Sequence, residues 1–293
     1  MATTRRVLVL VTAGLLSLAG LVVPSGVGIA ATASLPFQSV SAGQAQTCGI
    51  RTDSSLWCWG TNGYGQLGDG TTTDQASPVH VGSSSWLNVS TNTQRTCATR
   101  IDHTLWCWGY NSGQLGDGTD TDRHVPTQIG TVSTWATVSV GTYHSCATRT
   151  DGTLWCWGGG RYGELGDGTI TGHKSPFPVG TATTWAGVAA GQNHTCAIQT
   201  DHTLWSWGRN NFGQVGDGTT TGRTVPVRIG TASAWANVAT GLSHACASRT
   251  DHTLWCWGGG ADGELGDGTS TTRLAPVQVG TATTWAAVAT GAS

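Results

Sequence analysis

The sequence has little charge. Charged residues make up 10% of its 293 residues, Lys174 is the single lysine, and the formal net charge is −2. A surface that binds nucleic acid needs clustered lysines and arginines to neutralise the phosphates. Because the arginines are scattered along the chain, the sequence predicts that nucleic acid is not a partner.

Helical periodicity and the residue patterns of catalytic sites are also lacking. No repeat shows apolar residues at helical spacing, which excludes coiled coils and TIM barrels. There is no Ser/His/Asp order, no pair of carboxylates and no phosphate-cradling loop. Glu164 and Glu264 replace a repeated glutamine, but they lie 100 residues apart in matching positions. We therefore predict no enzyme activity, no catalytic residue and no cofactor.

Residues 1–33 have the features of a signal peptide. Two arginines precede an apolar run of 17 residues at 7–23, and "ATA" at 31–33 offers a cleavage site before Ser34. The alternative is an uncleaved membrane anchor, since such a run nearly spans a bilayer. The cleavage-like site favours removal. We expect bacterial export of a secreted, extracellular protein that has no membrane contact after signal cleavage.

What the sequence does contain is a repeat of about 50 residues, whose first cysteine recurs at intervals of 49, 49, 50 and 50 residues. Each unit holds four short β segments between turn residues; in the fourth unit they are "HTCAIQT", "TLWSWG", "PVRIG" and "WANVATG". Four-stranded units at this period predict the blades of an all-β propeller. The domain spans 34–293, with units near 43–91, 92–140, 141–190, 191–240 and 241–290.

The repeated motif "LWCWGxNxxGQLGDGT…PVxV" resembles the repeat of the regulator of chromosome condensation (RCC1) family over about 35–293. The resemblance implies a β-propeller, commonly of seven blades, and points to a secreted bacterial branch of the family. This chain has five complete units, and the last three residues, 291–293, begin a sixth. We therefore expect a truncated or incomplete seven-bladed propeller rather than a five-bladed ring.

Each unit carries a Trp-x-Trp motif, which reads "LWCWG" in four units and "LWSWG" in the fourth. Alternate residues of a strand face opposite sides, so the two tryptophans share one face while the leucine and the cysteine share the other. A strand that is apolar on both faces must be buried on both, as between two neighbouring blades. A photoreceptor branch of the family uses a "GWRHT"-type signature, but the matching stretches here, such as "GTYHS", lack tryptophan. We assign the tryptophans to packing.

Eight cysteines follow a C-x9-C spacing. In the third unit, a three-residue hairpin loop would pair Arg149 with Thr153 and place the two cysteines of the unit directly opposite each other. Gly152 then occupies a left-handed position, which His103, His202 and His252 fill in other units. In an oxidising compartment such cysteines form disulfides. The predicted pairs are Cys48–Cys58, Cys97–Cys107, Cys146–Cys156 and Cys246–Cys256.

The fourth unit has Ser206 where the other units have their second cysteine, so Cys196 is predicted to be the only free thiol. One competing interpretation of the cysteines is zinc ligation together with His144, His194 or His244. The chain has no C-x2-C and each such site has too few ligands, so we predict no metal. The other interpretation, reduced core cysteines, requires a reducing compartment.

A second repeated feature is an aspartate in the loop "(L/V)GDGT", at Asp69, Asp117, Asp167, Asp217 and Asp267. Loops rich in aspartate and glycine can bind calcium. Aspartate also stabilises turns by accepting backbone N–H bonds. The loop lacks the alternating carboxylates and the terminal glutamate of an EF-hand, which favours the turn.

Residues that depart from the repeat are the candidates for partner binding, because invariant positions serve every blade alike. Aromatic residues and arginines are favoured as interface anchors. The alternative for the aromatic residues at 64, 162 and 212, which share one slot, is packing beneath the loop. The candidates are Tyr64, Tyr110, Arg161, Tyr162, Arg209 and Phe212.

The sequence thus predicts a secreted, non-enzymatic interaction scaffold that binds a protein partner of unknown identity. The resemblance adds inhibitor or adhesion roles, since the family's secreted bacterial branch includes inhibitors of β-lactamases. Two alternatives stay open. One is guanine-nucleotide exchange on a small GTPase, the activity of the founding members, which the signal peptide disfavours. The other is a structural repeat module within a larger cell-surface protein.

Overall fold

The computed structural model describes residues 35–291, in which all regular structure is β-strand. The predicted signal peptide at 1–33 lies outside the described residues, as do residues 292 and 293. Within 35–291 no helix is long and apolar enough to cross a membrane.

The strands form five separate four-stranded antiparallel sheets, which we call blades I to V. Blade I contains β1 (Phe37–Ala42), β2 (Gln46–Arg51), β3 (Leu56–Gly60) and β4 (Gln75–His80). Blade II contains β5 (Trp86–Asn92), β6 (Arg95–Arg100), β7 (Leu105–Gly109) and β8 (Arg123–Gln128). Blade III contains β9 (Trp135–Val140), β10 (His144–Arg149), β11 (Leu154–Gly158) and β12 (His173–Pro178). Blade IV contains β13 (Trp185–Ala190), β14 (His194–Gln199), β15 (Leu204–Gly208) and β16 (Arg223–Arg228). Blade V contains β17 (Trp235–Thr240), β18 (His244–Arg249), β19 (Leu254–Gly258) and β20 (Arg273–Gln278).

The hairpin between the second and third strands has the predicted register. In blade III the Arg149 N–H donates to the Thr153 carbonyl at 2.9 Å, and Cys146 lies opposite Cys156. Gly152 has φ 76°, and the histidines in this position of blades II, IV and V have φ between 61° and 63°. In blade I the left-handed residue is Ser54, at φ 65°. A three-residue turn therefore sets the same pairing in every blade.

The sheets begin one strand earlier than the sequence units. The tryptophan-led strand that closes each predicted unit pairs with the second strand of the next blade, as Trp185 does with Gln199. A tight turn, closed by a bond from the Gly191 N–H to the His194 carbonyl, joins these two strands. The segment after β20, which contains Trp285, forms no strand up to residue 291. In a repeated sequence any strand can be taken as the first of a unit, so the boundary between blades is seen only from which strands pair.

Neighbouring blades interlock through the second tryptophan of each motif. Trp157 of blade III is fully buried against the leucine and disulfide face of blade II, and its indole N–H donates to the Gln114 carbonyl of that blade at 2.9 Å. Trp207 bonds the Glu164 carbonyl in the same way at 2.9 Å. The predicted burial on both faces is confirmed for the leucine, the central residue and the second tryptophan of the motif in blades II to V, whereas the first tryptophan is only half-buried.

The first tryptophan of the motif is covered by an arginine instead of a blade. The guanidinium carbon of Arg149 lies 3.8 Å from the ring centroid of Trp155 and 4.5 Å from that of Trp135. The Trp155 indole N–H donates to the Thr153 hydroxyl at 3.0 Å. A guanidinium stacked on indole rings provides cation–π attraction and covers the partly exposed ring. Blade IV has Gln199 in the arginine position and lacks this stack.

All four predicted disulfides are present, and their eight cysteines are buried. In blade IV the Cys196 thiol lies 3.3 Å from the Ser206 hydroxyl. Burial raises the pKa of the Cys196 thiol to about 12. Cys196 is thus an unreactive core residue at neutral pH, since reactivity needs the thiolate.

The blades follow one another in an open series. The first strands of successive blades contact each other, whereas within residues 35–291 blade V makes no extensive contact with blade I. Trp285 is 40% exposed, although the equivalent tryptophans of blades II to V are at most 5% exposed. An indole at this position therefore becomes buried only where a full blade surrounds it.

Buried histidines occupy the contact between blades III, IV and V. His144 Nε2 lies 2.7 Å from the Thr195 hydroxyl of the next blade. For His194 the corresponding residue is Ala245, and neither ring nitrogen has a hydrogen bond of good geometry. Burial lowers the pKa of both His144 and His194 to about 3. The fold holds both rings in the neutral form.

Replacing Ser206 with cysteine should close a fifth disulfide, because Cys196 lies directly opposite this position. Closing so short a loop should raise the free energy of unfolding by about 2–3 kcal/mol. Urea denaturation with and without dithiothreitol measures the gain, and non-reducing peptide mapping should show a link between positions 196 and 206. Ser206→Ala is the control without a thiol. A gain that survives reduction would contradict the prediction.

Gly166→Ala should destabilise the protein more than Gly180→Ala. Both glycines have positive φ, 74° and 62°. A Cβ at position 166 would lie 2.6 Å from Trp207 Nε1, whereas one at position 180 meets no atom within 4 Å. Left-handed strain costs about 1–2 kcal/mol at either site, and overpacking adds about 1–3 kcal/mol at position 166. Equal shifts of the urea midpoint would show that the indole does not confine this loop.

Stability should fall as the pH drops from about 6.5, the ordinary pKa of histidine, towards about 3, the pKa of buried His144 and His194 in the folded protein. The unfolded chain takes up protons in this range and the folded chain does not, so acid favours unfolding. Buried Glu164, whose pKa is raised by burial, acts in the opposite sense. The test therefore compares the pH dependence of stability of wild type with that of His194→Gln. Glutamine is chosen because Gln46 occupies the equivalent position in blade I.

Urea titrations at several pH values should show a flatter profile for His194→Gln than for wild type. His80→Gln, at an exposed position, is the control and should follow the wild-type profile. Parallel profiles for all three proteins would show that His194 does not contribute.

Candidate functional site

The candidate binding residues all lie at one end of the blades, which we call the loop face. It is formed where the turn between the first two strands meets the loop after the third strand. In blade III the Gly159 N–H donates to the Tyr143 carbonyl at 2.7 Å and joins these two segments. The loop that starts here contains the "GELGDGT" stretch and leads to β12. The structure thus places Tyr64, Tyr110, Arg161, Tyr162, Arg209 and Phe212 in equivalent loops.

A buried asparagine organises three of these loops. Asn62 donates from its amide to Asp69 Oδ1 and to the Thr71 carbonyl, each at 3.1 Å, and its Oδ1 accepts the Leu67 N–H at 2.9 Å. Asn111 and Asn210 make the same bonds in blades II and IV. Sequence reasoning missed these asparagines, although they recur as the "N" of "GxN".

In blades III and V the equivalent residues are glycines, Gly160 and Gly260. The chain itself fills the space that the asparagine occupies elsewhere, because a Cβ on Gly160 would lie 2.3 Å from the Thr171 carbonyl oxygen. The loop framework is therefore kept by two different means.

The repeated aspartate uses its oxygens within its own loop. Asp117 Oδ1 accepts the Thr119 N–H at 3.0 Å and the Thr119 hydroxyl at 2.8 Å, and Oδ2 accepts Arg123 Nε at 2.8 Å. Partial burial alone would raise the pKa of Asp117, but the bonds from Thr119 and Arg123 outweigh it and lower that pKa. These bonds confirm the turn interpretation. In the described part of the chain no three His, Cys, Asp or Glu residues are grouped to hold a metal.

The aromatic residues at 64, 162 and 212 project outward. They are 39%, 38% and 46% exposed, so the alternative that they pack beneath their loops is wrong. The reason lies two residues later, where a buried Gln or Glu side chain accepts the aromatic residue's own N–H. Glu164 Oε2 does so for Tyr162 at 2.6 Å, and Gln214 Oε1 does so for Phe212 at 2.8 Å. The buried acceptor occupies the space beneath the loop, and burial raises the pKa of Glu164.

Five of the six candidates form two clusters that join adjacent blades. Tyr64 of blade I and Tyr110 of blade II meet edge to face, with ring centroids 5.2 Å apart. The Arg209 guanidinium of blade IV lies 5.0 Å from the ring centroid of Tyr162 of blade III, and Arg161 lies 5.9 Å from the same ring. Phe212 belongs to neither cluster.

Tyr143 is a further aromatic residue on the loop face, and it is 46% exposed. It sits in the turn between β9 and β10, next to the start of the Tyr162 loop. The sequence could have indicated it, because this position differs between units: the equivalent residues in the next two units are Asn193 and Ser243. The loop face is therefore richer in exposed rings than the sequence interpretation proposed.

Solved structures share the fold of this chain at low sequence identity. The structure of human WBSCR16 matches with a TM-score of 0.77 at 22% identity, covering 86% of this chain and 69% of that one. Yeast RCC1 (Prp20), solved with Kap60 bound, matches with a TM-score of 0.76 at 21% identity, covering 87% and 66%. The ectodomain of the Physcomitrella patens receptor kinase CR4 matches with a TM-score of 0.52 at 20% identity, covering 78% and 54%. At these identities the likeness shows the fold, and this chain spans about half to 69% of their lengths.

Sequence comparison identifies the repeat itself. No curated protein sequence matched the chain. The family profile "Regulator of chromosome condensation (RCC1) repeat" matches residues 53–97, 102–148, 151–198, 201–248 and 251–293. A second profile of the same repeat matches 37–66, 135–164, 185–214 and 235–264. With most of its length matched and five RCC1-like blades in its fold, the chain belongs to the regulator of chromosome condensation (RCC1) repeat family.

Proposed function

We propose that this protein is a secreted, non-enzymatic scaffold that binds a protein partner through the loop face. The observation that carries the proposal is the gathering of exposed aromatic and arginine side chains from different blades into joint clusters on one face. Tyr162 and Arg209 come from different blades and lie side by side. Aromatic residues and arginine are the side chains that most often anchor protein interfaces.

The loops beneath these side chains are held in place by several internal contacts, which favours binding. Each loop is held by hydrogen bonds from its buried asparagine or by close backbone packing, and the indole of the next blade supports it from below. A preorganised surface loses little conformational entropy when a partner binds. Repeat-invariant residues build the framework, and the outward positions are free to vary between blades.

Secretion is part of the proposal and rests on two features. The first is the predicted signal peptide at 1–33, and the second is the set of four disulfides, a bond type typical of extracellular proteins. The finer role is inhibition of an extracellular enzyme or adhesion. One solved structure similar to this chain is Prp20p of Saccharomyces cerevisiae, described with its binding to Gsp1p and histones. An exchange role on a small GTPase would require an intracellular partner, which the predicted export disfavours.

Photo-crosslinking from the loop face tests the proposal. A benzoylphenylalanine placed at Phe212 or Tyr162 in the exported protein should give crosslinks to a partner protein in its native culture. The same probe at Phe177 is the matched control, because Phe177 is 43% exposed but lies on outer strand β12. The mature protein should be recovered from the medium with Ser34 at its N-terminus.

Crosslinks of equal strength from position 177 would contradict the loop face as the binding surface. Retention of the protein inside the cell with an intact N-terminus would contradict secretion.

A further inference from the structure

We infer that the partner of the loop face presents an acidic polypeptide segment, whose carboxylates bind Arg161 and Arg209 beside Tyr162. The inference rests on the proposed function and names the chemistry of the partner. It follows from how the positive charges of the described chain are used.

Almost every other cation in residues 35–291 has a partner within the protein. Arg95 donates to three backbone carbonyls, Arg228 donates to the Thr231 carbonyl, and Lys174 pairs with Asp120. The outer-strand arginines pair with loop aspartates, as Arg123–Asp117, Arg223–Asp217 and Arg273–Asp267. The strand arginines lie between two aromatic rings each, at Arg51, Arg100, Arg149 and Arg249.

Arg161 and Arg209 are different. Like the four strand arginines, neither guanidinium has a hydrogen bond or an ion pair with any residue between 35 and 291, but these two share a single ring that is itself exposed, whereas each strand arginine lies between two rings. Their common contact is the exposed ring of Tyr162, which they approach from adjacent blades at 5.9 Å and 5.0 Å. The loop has two carboxylates, and both are engaged elsewhere: Glu164 is 1% exposed and accepts the Tyr162 N–H, and Asp167 pairs with His173. Two positive charges are thus held together at the surface without a counter-charge of their own.

A carboxylate is the ligand that suits this arrangement. A guanidinium that stacks on an aromatic ring keeps its in-plane N–H groups free, and these match the two oxygens of a carboxylate. The Tyr162 ring shields one side of the Arg209 group and lowers the local exposure to water, which strengthens such a pair. Tyr162 and Phe212 then offer apolar surface to the neighbouring side chains of the same segment.

The rest of the face favours a short acidic segment over a long polyanion. Asp262, in the equivalent loop of blade V, is exposed, and Glu264 beside it is partly exposed. These groups repel a chain of continuous negative charge that runs across the face. The protein as a whole has a net charge of −2, which adds to the repulsion. A segment with one or two carboxylates over blades III and IV avoids both effects.

Selection of random peptides on phage against the full exported protein tests the inference. Selected peptides should be enriched in Asp and Glu next to apolar or aromatic residues. Synthetic copies should lose roughly tenfold in affinity when Arg209 is changed to Gln, because a hydrogen bond to a charged group is lost. Asp→Asn and Glu→Gln copies of the peptides should lose as much. Arg228→Gln removes the same charge from an exposed position at the far end of blade IV and should leave the affinity unchanged.

The outcomes separate this inference from the proposed function. Peptides without acidic enrichment that bind wild type but not Tyr162→Ala would overturn the acidic partner and leave the loop face as the binding surface. Peptides that bind Tyr162→Ala and Phe212→Ala as well as wild type would overturn both. Equal losses from Arg228→Gln and Arg209→Gln, or binding of heparin as tight as that of the peptides, would show a general charge effect and overturn the acidic segment.

Discussion

The structure depends on one contact, the indole of each blade against the glycine loop of the blade before it. Trp207 fills the space beneath Gly166 and donates to the Glu164 carbonyl, so there is no room for a Cβ at position 166. The same contact recurs at Trp157 and Trp257. This contact joins the core of one blade to the loop of another. It therefore fixes both the distance between the two blades and the position of the loop at the loop face.

This contact explains why loop residues can vary while the fold is kept. The loop is held from below by the indole and from within by a buried asparagine or by a glycine against backbone. Side chains that point outward take no part in either interaction. Differences between the units at positions such as 162 and 209 therefore alter the surface and leave the blade spacing unchanged. Such a division between a constant frame and a variable face suits recognition of a partner.

Blade IV shows which interactions define a blade. It lacks both the disulfide and the arginine–tryptophan stack, since Ser206 and Gln199 replace the usual residues. Its strands nevertheless keep the register of the other blades, with Cys196 opposite Ser206. Packing of the indole and leucine faces is therefore sufficient for the blade, and the disulfide adds stability by limiting the unfolded chain.

The sequence by itself determined what is local: the four-stranded unit, the hairpin register that sets Cys146 against Cys156, and the turn role of the loop aspartates. These follow from spacing and turn chemistry within one unit. Only the tertiary structure decided which sheet the tryptophan-led strand joins. It also decided that the Tyr162 side chain faces solvent and that Arg209 of the next blade lies beside the Tyr162 ring. Each of these features depends on contacts between blades. The sequence of one repeat unit does not show which residues of the neighbouring unit it will contact.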